Sequence, residues 1–237
     1  MIQHFLEEID FEIQETDEIS PIQNWGRKYI VNEESFKDGI PSEDGDIIIF
    51  TDGSKDEEDN AGAGVVMFDL VHGNIMLEKS QYLGDKLTVF QSEIYAIDMA
   101  VNHLLEANTK DTKIILHTDS YSSLQAINSN FLASRQVAAA VSKIYLLSEQ
   151  NEVNIRWVKA HVGHPGNEKA DELAKEGTEK PDEIAENLPA LSRTIARGIL
   201  RNKCEVVWNE WWEHHLSVAY CAQNFGFSNL PLCKGIS

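Results

Sequence analysis

The chain has 237 residues, 42% of them hydrophobic, and a formal net charge of −19. That apolar share excludes wholesale disorder, and no apolar run approaches the ~18 residues of a membrane span. The acidity argues against a large basic face for gripping nucleic acid.

Met1–Ile9 carries acids and no Lys or Arg, against a signal or transit peptide. Cys204, Cys221 and Cys233 all lie in the last 34 residues, so the core needs no disulfide. An intracellular, reducing compartment fits, with cytoplasm and nucleus not distinguished. The five residues Cys204, His214, His215, Cys221 and Cys233 match no compact zinc knuckle by spacing.

Residues 1–45 hold 12 acids and 3 bases and show no sustained periodicity. They are expected to be an acidic linker or the end of a preceding domain. Pro41-Ser42-Glu43-Asp44-Gly45 is turn chemistry and marks a boundary, with the main domain over 46–180. Ile47–Thr51 reads as a buried strand. Ala61–Asp69 and Ile75–Leu83 read as strands joined by a hairpin at His72-Gly73-Asn74. Ile94, Ile97, Val101, Leu104 and Leu105 give Phe90–Glu106 a helical period. Lys113–Thr118 is a strand, Ser120–Ile127 a short helix, Ala133–Gln150 a long helix and Val153–Lys159 a strand. Pro165 opens a helix that Gly177 should stop. Residues 181–237 form an extension with a helix over Ser192–Leu216, whose Trp208, Trp211 and Trp212 are expected to pack on a core.

This order predicts an α/β fold: a mixed five-stranded sheet of a three-strand antiparallel meander plus two parallel strands, flanked by helices. Asp52 and Asp119 then emerge at one edge, at the ends of adjacent parallel strands. Glu93 opens a helix and Asp171 rides another. Either strand-end aspartate alone is as readily a turn former or a helix cap. Four carboxylates converging at one sheet edge repel one another unless divalent cations fill the cluster, which reads as a metal site for phosphoryl chemistry. His161 and Asn167 lie in the loop and helix leading to Asp171. Taken singly, His161 is a hydrogen-bonded loop histidine, and His164 and Asn167 are loop and capping residues.

Thr51-Asp52-Gly53-Ser54, Gln91-Ser92-Glu93, Thr118-Asp119-Ser120 and the long run Trp157–Asp171, with His161-Val162-Gly163-His164-Pro165-Gly166-Asn167 inside it, resemble the type 1 ribonuclease H family. The resemblance covers about residues 46–178. It implies the ribonuclease H-like fold, cleavage of the RNA strand of RNA–DNA hybrids, and two Mg²⁺ ions, replaceable by Mn²⁺. By the same resemblance Asp52 would bridge both ions, Glu93 and Asp119 would complete one site and Asp171 the other, and His161 would move protons or help release product. Gly53, Ser54, Gln91, Ser120 and Asn167 stand beside the acids as substrate-binding candidates.

More narrowly, Val89-Phe90-Gln91-Ser92-Glu93 and the tail with Trp208 and Trp211-Trp212 resemble the ribonuclease H of non-long-terminal-repeat retrotransposon polyproteins. That implies an upstream reverse transcriptase domain as partner, and no membrane. Rivals are an integrase- or exonuclease-type nuclease on the same fold, and a non-catalytic interaction module. Asp52-Gly53-Ser54 lacks the Asp-x-Glu pair of the exonucleases, Asp171 stands where integrases have Glu, and a module would be expected to lose an acid.

The chain departs from the family in two places. Asp119 and Asp171 are only 52 residues apart, and Ala133–Gln150 contains just Arg135 and Lys143, so the family's basic insertion is missing. Val89 and Phe90 stand where the family commonly has Asn or Gln.

Overall fold

Ile47 to Phe50 are buried on both faces of a strand, and the sheet is built around them. The structure is a computed structural model that describes residues 16–24 and 27–224, with side chains to residue 212. The described residues divide into two units, one up to residue 195 and one from residue 196.

In the first unit, β1 (Glu18–Gln23), β2 (Ile30–Asn32) and the short α1 (Ser35–Asp38) precede β3 (Ile47–Lys55), β4 (Ala61–Asp69) and β5 (Asn74–Tyr82). Then come α2 (Val89–Glu106), β6 (Lys113–Thr118), α3 (Tyr121–Asn128), β7 (Phe131–Ser134), α4 (Arg135–Ser148), β8 (Glu152–Trp157) and α5 (Pro165–Thr178). The main sheet has the order β2-β8-β6-β3-β4-β5. β3, β4 and β5 are the expected antiparallel meander, and β6 and β8 run parallel to β3 and to each other.

The sheet has six strands where the sequence predicts five. Ile30–Asn32, inside the expected acidic linker, pairs parallel with Asn154–Arg156 of β8. Three residues are too short to show alternation, but they pair an edge of β8 that would otherwise stay open. Glu18–Gln23 of the same segment pairs antiparallel with β7 in a separate two-stranded sheet. Asp17 beside it caps α4: its carboxylate accepts from Ser134 Oγ at 2.5 Å and from Gln136 N at 2.8 Å. Both pairings are long-range, so no local pattern announces them. The helix opened by Pro165 passes Gly177 by one residue and ends at Thr178.

The sheet's two faces are covered unequally. Ile47 and Ile49 join the larger core, with Ile94, Ile97 and Leu104 of α2 and Val137 and Ile144 of α4. Ile48 and Phe50 point the other way, to Val66, Ile115 and Ala170 and Leu173 of α5. The period-2 alternation of β3 thus assigns one face to each layer. Helix α5 lies very close to β4. A Cβ at Gly64 would collide with Ala170 O and Ala174 N, so only glycine lets the two backbones meet.

The second unit contains most of α6 (Arg193–Asn224). Trp208 stacks on Trp211, and Trp212 meets both rings edge-on, with ring centroids 5.4–5.9 Å apart. Trp208 is 51% exposed, unlike the core-facing residue the sequence suggests. Cys204 is a free, half-buried thiol. The side chains of His214, His215 and Cys221, and all of Cys233, lie outside the described residues.

Candidate active site

The parallel pairing of β3 with β6 ends at Thr51↔Thr118, whereas β3 stays paired with β4 to Lys55. The next residue on each parallel strand is an aspartate. Asp52 and Asp119 therefore sit side by side at the fork where the sheet opens. Asp52 is a strand residue opposite Gly64 and is 7% exposed.

Glu93 reaches the fork from α2. Thr88 and Gln91 form a capping box that fixes the start of this helix. Gly53 lets the helix backbone press on β3, since a Cβ there would meet Glu93 N. Carboxylate oxygens of Asp52, Glu93 and Asp119 all lie within 4.8 Å of one another. Asp171 comes from α5, the helix that Gly64 admits. It accepts a hydrogen bond from Lys175 Nζ at 2.7 Å and forms a second group with His161 and Glu168, again within 4.8 Å.

The electrostatics follow from this crowding. Burial first, then the charges of Asp119 and Asp171, push the Asp52 carboxyl up to about 8. Burial, then Asp52 and Asp119, raise Glu93 well above the usual carboxylate range. Glu93 Oε2 is buried without a hydrogen-bond partner. A compact set of hard oxygen donors, mutually repelling and one of them orphaned, fits a divalent cation.

Surrounding residues hold the acids in place. Asn167, 2% exposed, donates from Nδ2 to Asp119 Oδ2 at 3.0 Å, and Trp157 Nε1 donates to Asp119 O at 2.9 Å. His117 is fully buried beneath the fork and stacks on Phe50 at 4.6 Å. Ser42 N donates to its Nε2 at 3.0 Å, so its Nδ1–H faces Ile49 O at 3.2 Å. Burial holds this imidazole down at about 3.

All four carboxylates predicted from sequence converge at this end of the sheet. His161 is exposed, with a left-handed φ of 53°, and meets the cluster through Asp171. Gly53 serves the α2 contact, and half-buried Ser54 follows it on β3. Ser120 caps α3 by accepting from Ser123 N and remains partly open.

Two of the substrate-binding candidates are buried and hydrogen-bonded within the protein. Gln91 is 1% exposed: its Oε1 accepts from Thr88, and its Nε2 donates to Ala190 O at 2.9 Å. Asn167 is turned inward on Asp119. Sequence reasoning missed Lys175, Glu168, Trp157 and His117. The first two stand four residues after and three before Asp171, a helical spacing visible in the sequence. Trp157 opens the Trp157–Asp171 run without its role being marked, and nothing local marks His117.

The profile of the RNase H family matches residues 44–179. The chain belongs to the ribonuclease H family. The family's members are hydrolases, and this chain is one of them. Ribonuclease H of Caulobacter sp. (strain K31) is 32% identical over 143 residues, covering 55% of this chain and 88% of that protein. Ribonuclease H of Pseudomonas entomophila (strain L48) is 30% identical over 146 residues, covering 56% and 93%. A crystal structure of RNase H1 from Halobacterium salinarum NRC-1 aligns at 21% identity with a TM-score of 0.45, covering 56% of this chain and 98% of that one. The two sequence relatives are bacterial ribonucleases H rather than retroelement proteins.

Proposed function

We propose that this chain hydrolyses the RNA strand of RNA–DNA hybrids, using two divalent cations held by Asp52, Glu93, Asp119 and Asp171. The observation that carries this reading is the cluster of three carboxylates, from β3, α2 and the end of β6, with oxygens within 4.8 Å and one of them unpartnered. Membership of the ribonuclease H family supports the substrate class.

Asp52 faces both other groups of acids, since Asp119 and Asp171 each act on its titration, so it would bridge the ions. Glu93 and Asp119 would complete one site and Asp171 the other. Bound Mg²⁺ would supply a sharpened water nucleophile and neutralise charge building on the leaving oxygen. The protein's own part is positional. Asn167 and Trp157 orient Asp119, the capping box orients Glu93, and Lys175 offsets the charge of Asp171. His161, exposed beside Asp171 and Glu168, would carry a proton at the mouth of the site.

The partner role beside a reverse transcriptase draws its support from Val89–Glu93 and the Trp-bearing tail. The test of function is a labelled RNA–DNA hybrid incubated with Mg²⁺, beside EDTA and beside duplex DNA. Cleavage of the RNA strand alone, only with metal, is expected. Cleavage in EDTA, or of duplex DNA at an equal rate, would overturn the reading.

A further inference from the structure

Helix α6 gathers the positive charge that the expected place lacks. α4 offers only Arg135 and Lys143, and Lys143 is committed to Asp98 at 2.7 Å. On α6, at about 100° per residue, Arg193, Arg197, Arg201, Trp208, Trp211 and Trp212 fall in one sector of about 100°. The three arginines are exposed. Arg193 Nε stands 3.5 Å from Glu18, while Arg197 and Arg201 make no ion pair among the described residues. Trp208 is 51% exposed, and its ring stacks on Trp211 at 5.7 Å and 21°. Of the acids on the helix with described side chains, Glu205 sits at the sector's edge and Glu210 on the opposite side.

In a chain of net charge −19, an exposed run of arginine that leads to an open indole is complementary to a polyanion carrying flat rings. Those two features also say which polyanion. In a duplex the base faces cover one another, so an indole finds no free face. In a single strand every base offers one, and arginines beside it take the phosphates.

We infer that this face of α6 binds single-stranded nucleic acid, with Arg197 and Arg201 on phosphates and a base stacked on Trp208. The inference rests on the nuclease reading only for the source of that strand, an unpaired extension of the hybrid. Arg197 and Arg201 are one turn apart, about 6 Å along the axis, and Trp208 follows two turns on. The strand would lie along the helix, arginines first.

The test is anisotropy of a labelled oligouridine about twelve nucleotides long, within the usual site sizes, titrated with the full chain in EDTA at several salt concentrations. Replacing both Arg197→Gln and Arg201→Gln should weaken binding and lower the log–log salt slope by about 1.4, at roughly 0.7 per phosphate. Arg197→Lys with Arg201→Lys should keep the slope, which separates lost charge from a disturbed helix. Trp208→Ala should weaken binding about tenfold, in the range for one stacked base, and leave the slope unchanged. Wild-type binding by both the Gln pair and Trp208→Ala would overturn the inference. Cleavage of a blunt hybrid, run in parallel, separates the two readings. If wild type fails to cut it while the α6 variants still lose single-strand binding, the nuclease reading falls and this one stands. If wild type cuts it and the α6 variants bind normally, only this one falls.

Discussion

Gly53 of β3 lies against the backbone of Glu93 on α2: a Cβ at Gly53 would meet Glu93 N and stand 2.7 Å from Ser92 C. The absence of one methyl group thus sets the distance between a strand that carries one acid and a helix that carries another. Gly64 does the same for α5 and Asp171 on the other face. Two glycines draw four carboxylates together from both layers of the sheet.

Gly53→Ala should therefore act on geometry before chemistry. The new methyl must push the first turns of α2 off β3, an overpacking that costs typically 1–3 kcal/mol, that is, about 1–3 kcal/mol of stability here. Glu93 moves with that turn, and a displacement of about 1 Å at a reacting centre can cost ~100-fold in rate. Urea unfolding and single-turnover cleavage of the hybrid measure the two effects. An alanine variant with wild-type stability and rate would show that α2 shifts freely and that this contact does not position Glu93.

Asp52→Asn should abolish hydrolysis and stabilise the metal-free protein. The Asp52 carboxyl titrates near 8 in the fold, against 3.8 in the absence of burial and neighbours. A group raised in this way contributes stability that is full below about pH 4 and is lost as pH rises through about 8. The wild-type protein without metal should thus weaken from pH 4 to 8. Asn at position 52 should flatten that slope and gain roughly 1–4 kcal/mol at pH 7, each pKa unit being worth about 1.4 kcal/mol. Thermal unfolding in EDTA across this range is the measurement. A parallel decline in both proteins would refute the electrostatic account.

The site was legible because its acids sit in sequence contexts with a local meaning. Ile47–Thr51 and Lys113–Thr118 are apolar runs with an aspartate just past the paired residues, and the parallel crossover brings the two ends together. The Trp157–Asp171 run ties a strand end, a histidine loop and a helix in one stretch. The strands of residues 16–32 were not legible. β1 and β2 owe their form to β7 and β8, more than a hundred residues away, and an isolated three-residue strand has no period. The surroundings of Gln91 and Asn167 were illegible for a related reason. Polar residues beside the four acids read naturally as substrate contacts, yet Gln91 is bonded to Thr88 and Ala190, and Asn167 donates to Asp119. Only the packing of α2 and α5 decides that.

His117→Phe keeps the ring on Phe50 and removes both hydrogen bonds, leaving Ser42 N and Ile49 O without their partner. Stability at pH 7 should fall by about 1–3 kcal/mol, the cost of stranding buried polar groups. The imidazole is held at about 3, so its contribution is full above the unfolded value of 6.5 and is lost as pH falls through about 3. The gap between wild type and variant should therefore narrow from pH 7 to 4. Chemical denaturation at both pH values checks this. A gap that widens in acid would mean that the histidine is charged in the fold.

Metal binding should be linked to protons, since Asp52 and Glu93 both titrate above the usual carboxylate range and a cation must displace what they hold. Mg²⁺ affinity should rise with pH through neutrality, as the Asp52 carboxyl, which titrates at about 8, gives up its proton. Calorimetric titration at pH 6.5 in two buffers of different ionisation enthalpy should show release of protons to the buffer. The same titration tests the hold on Asp119. Asn167→Ala removes the donor at 3.0 Å from Asp119 Oδ2, and loss of such an outer partner typically costs 10–100-fold in metal affinity, so at least about tenfold is expected. The variant should release as many protons as wild type, because Asn167 itself does not titrate. Unchanged affinity would mean that Asp119 is positioned by its strand alone. Affinity independent of pH in wild type would mean that the cation does not contact Asp52 or Glu93.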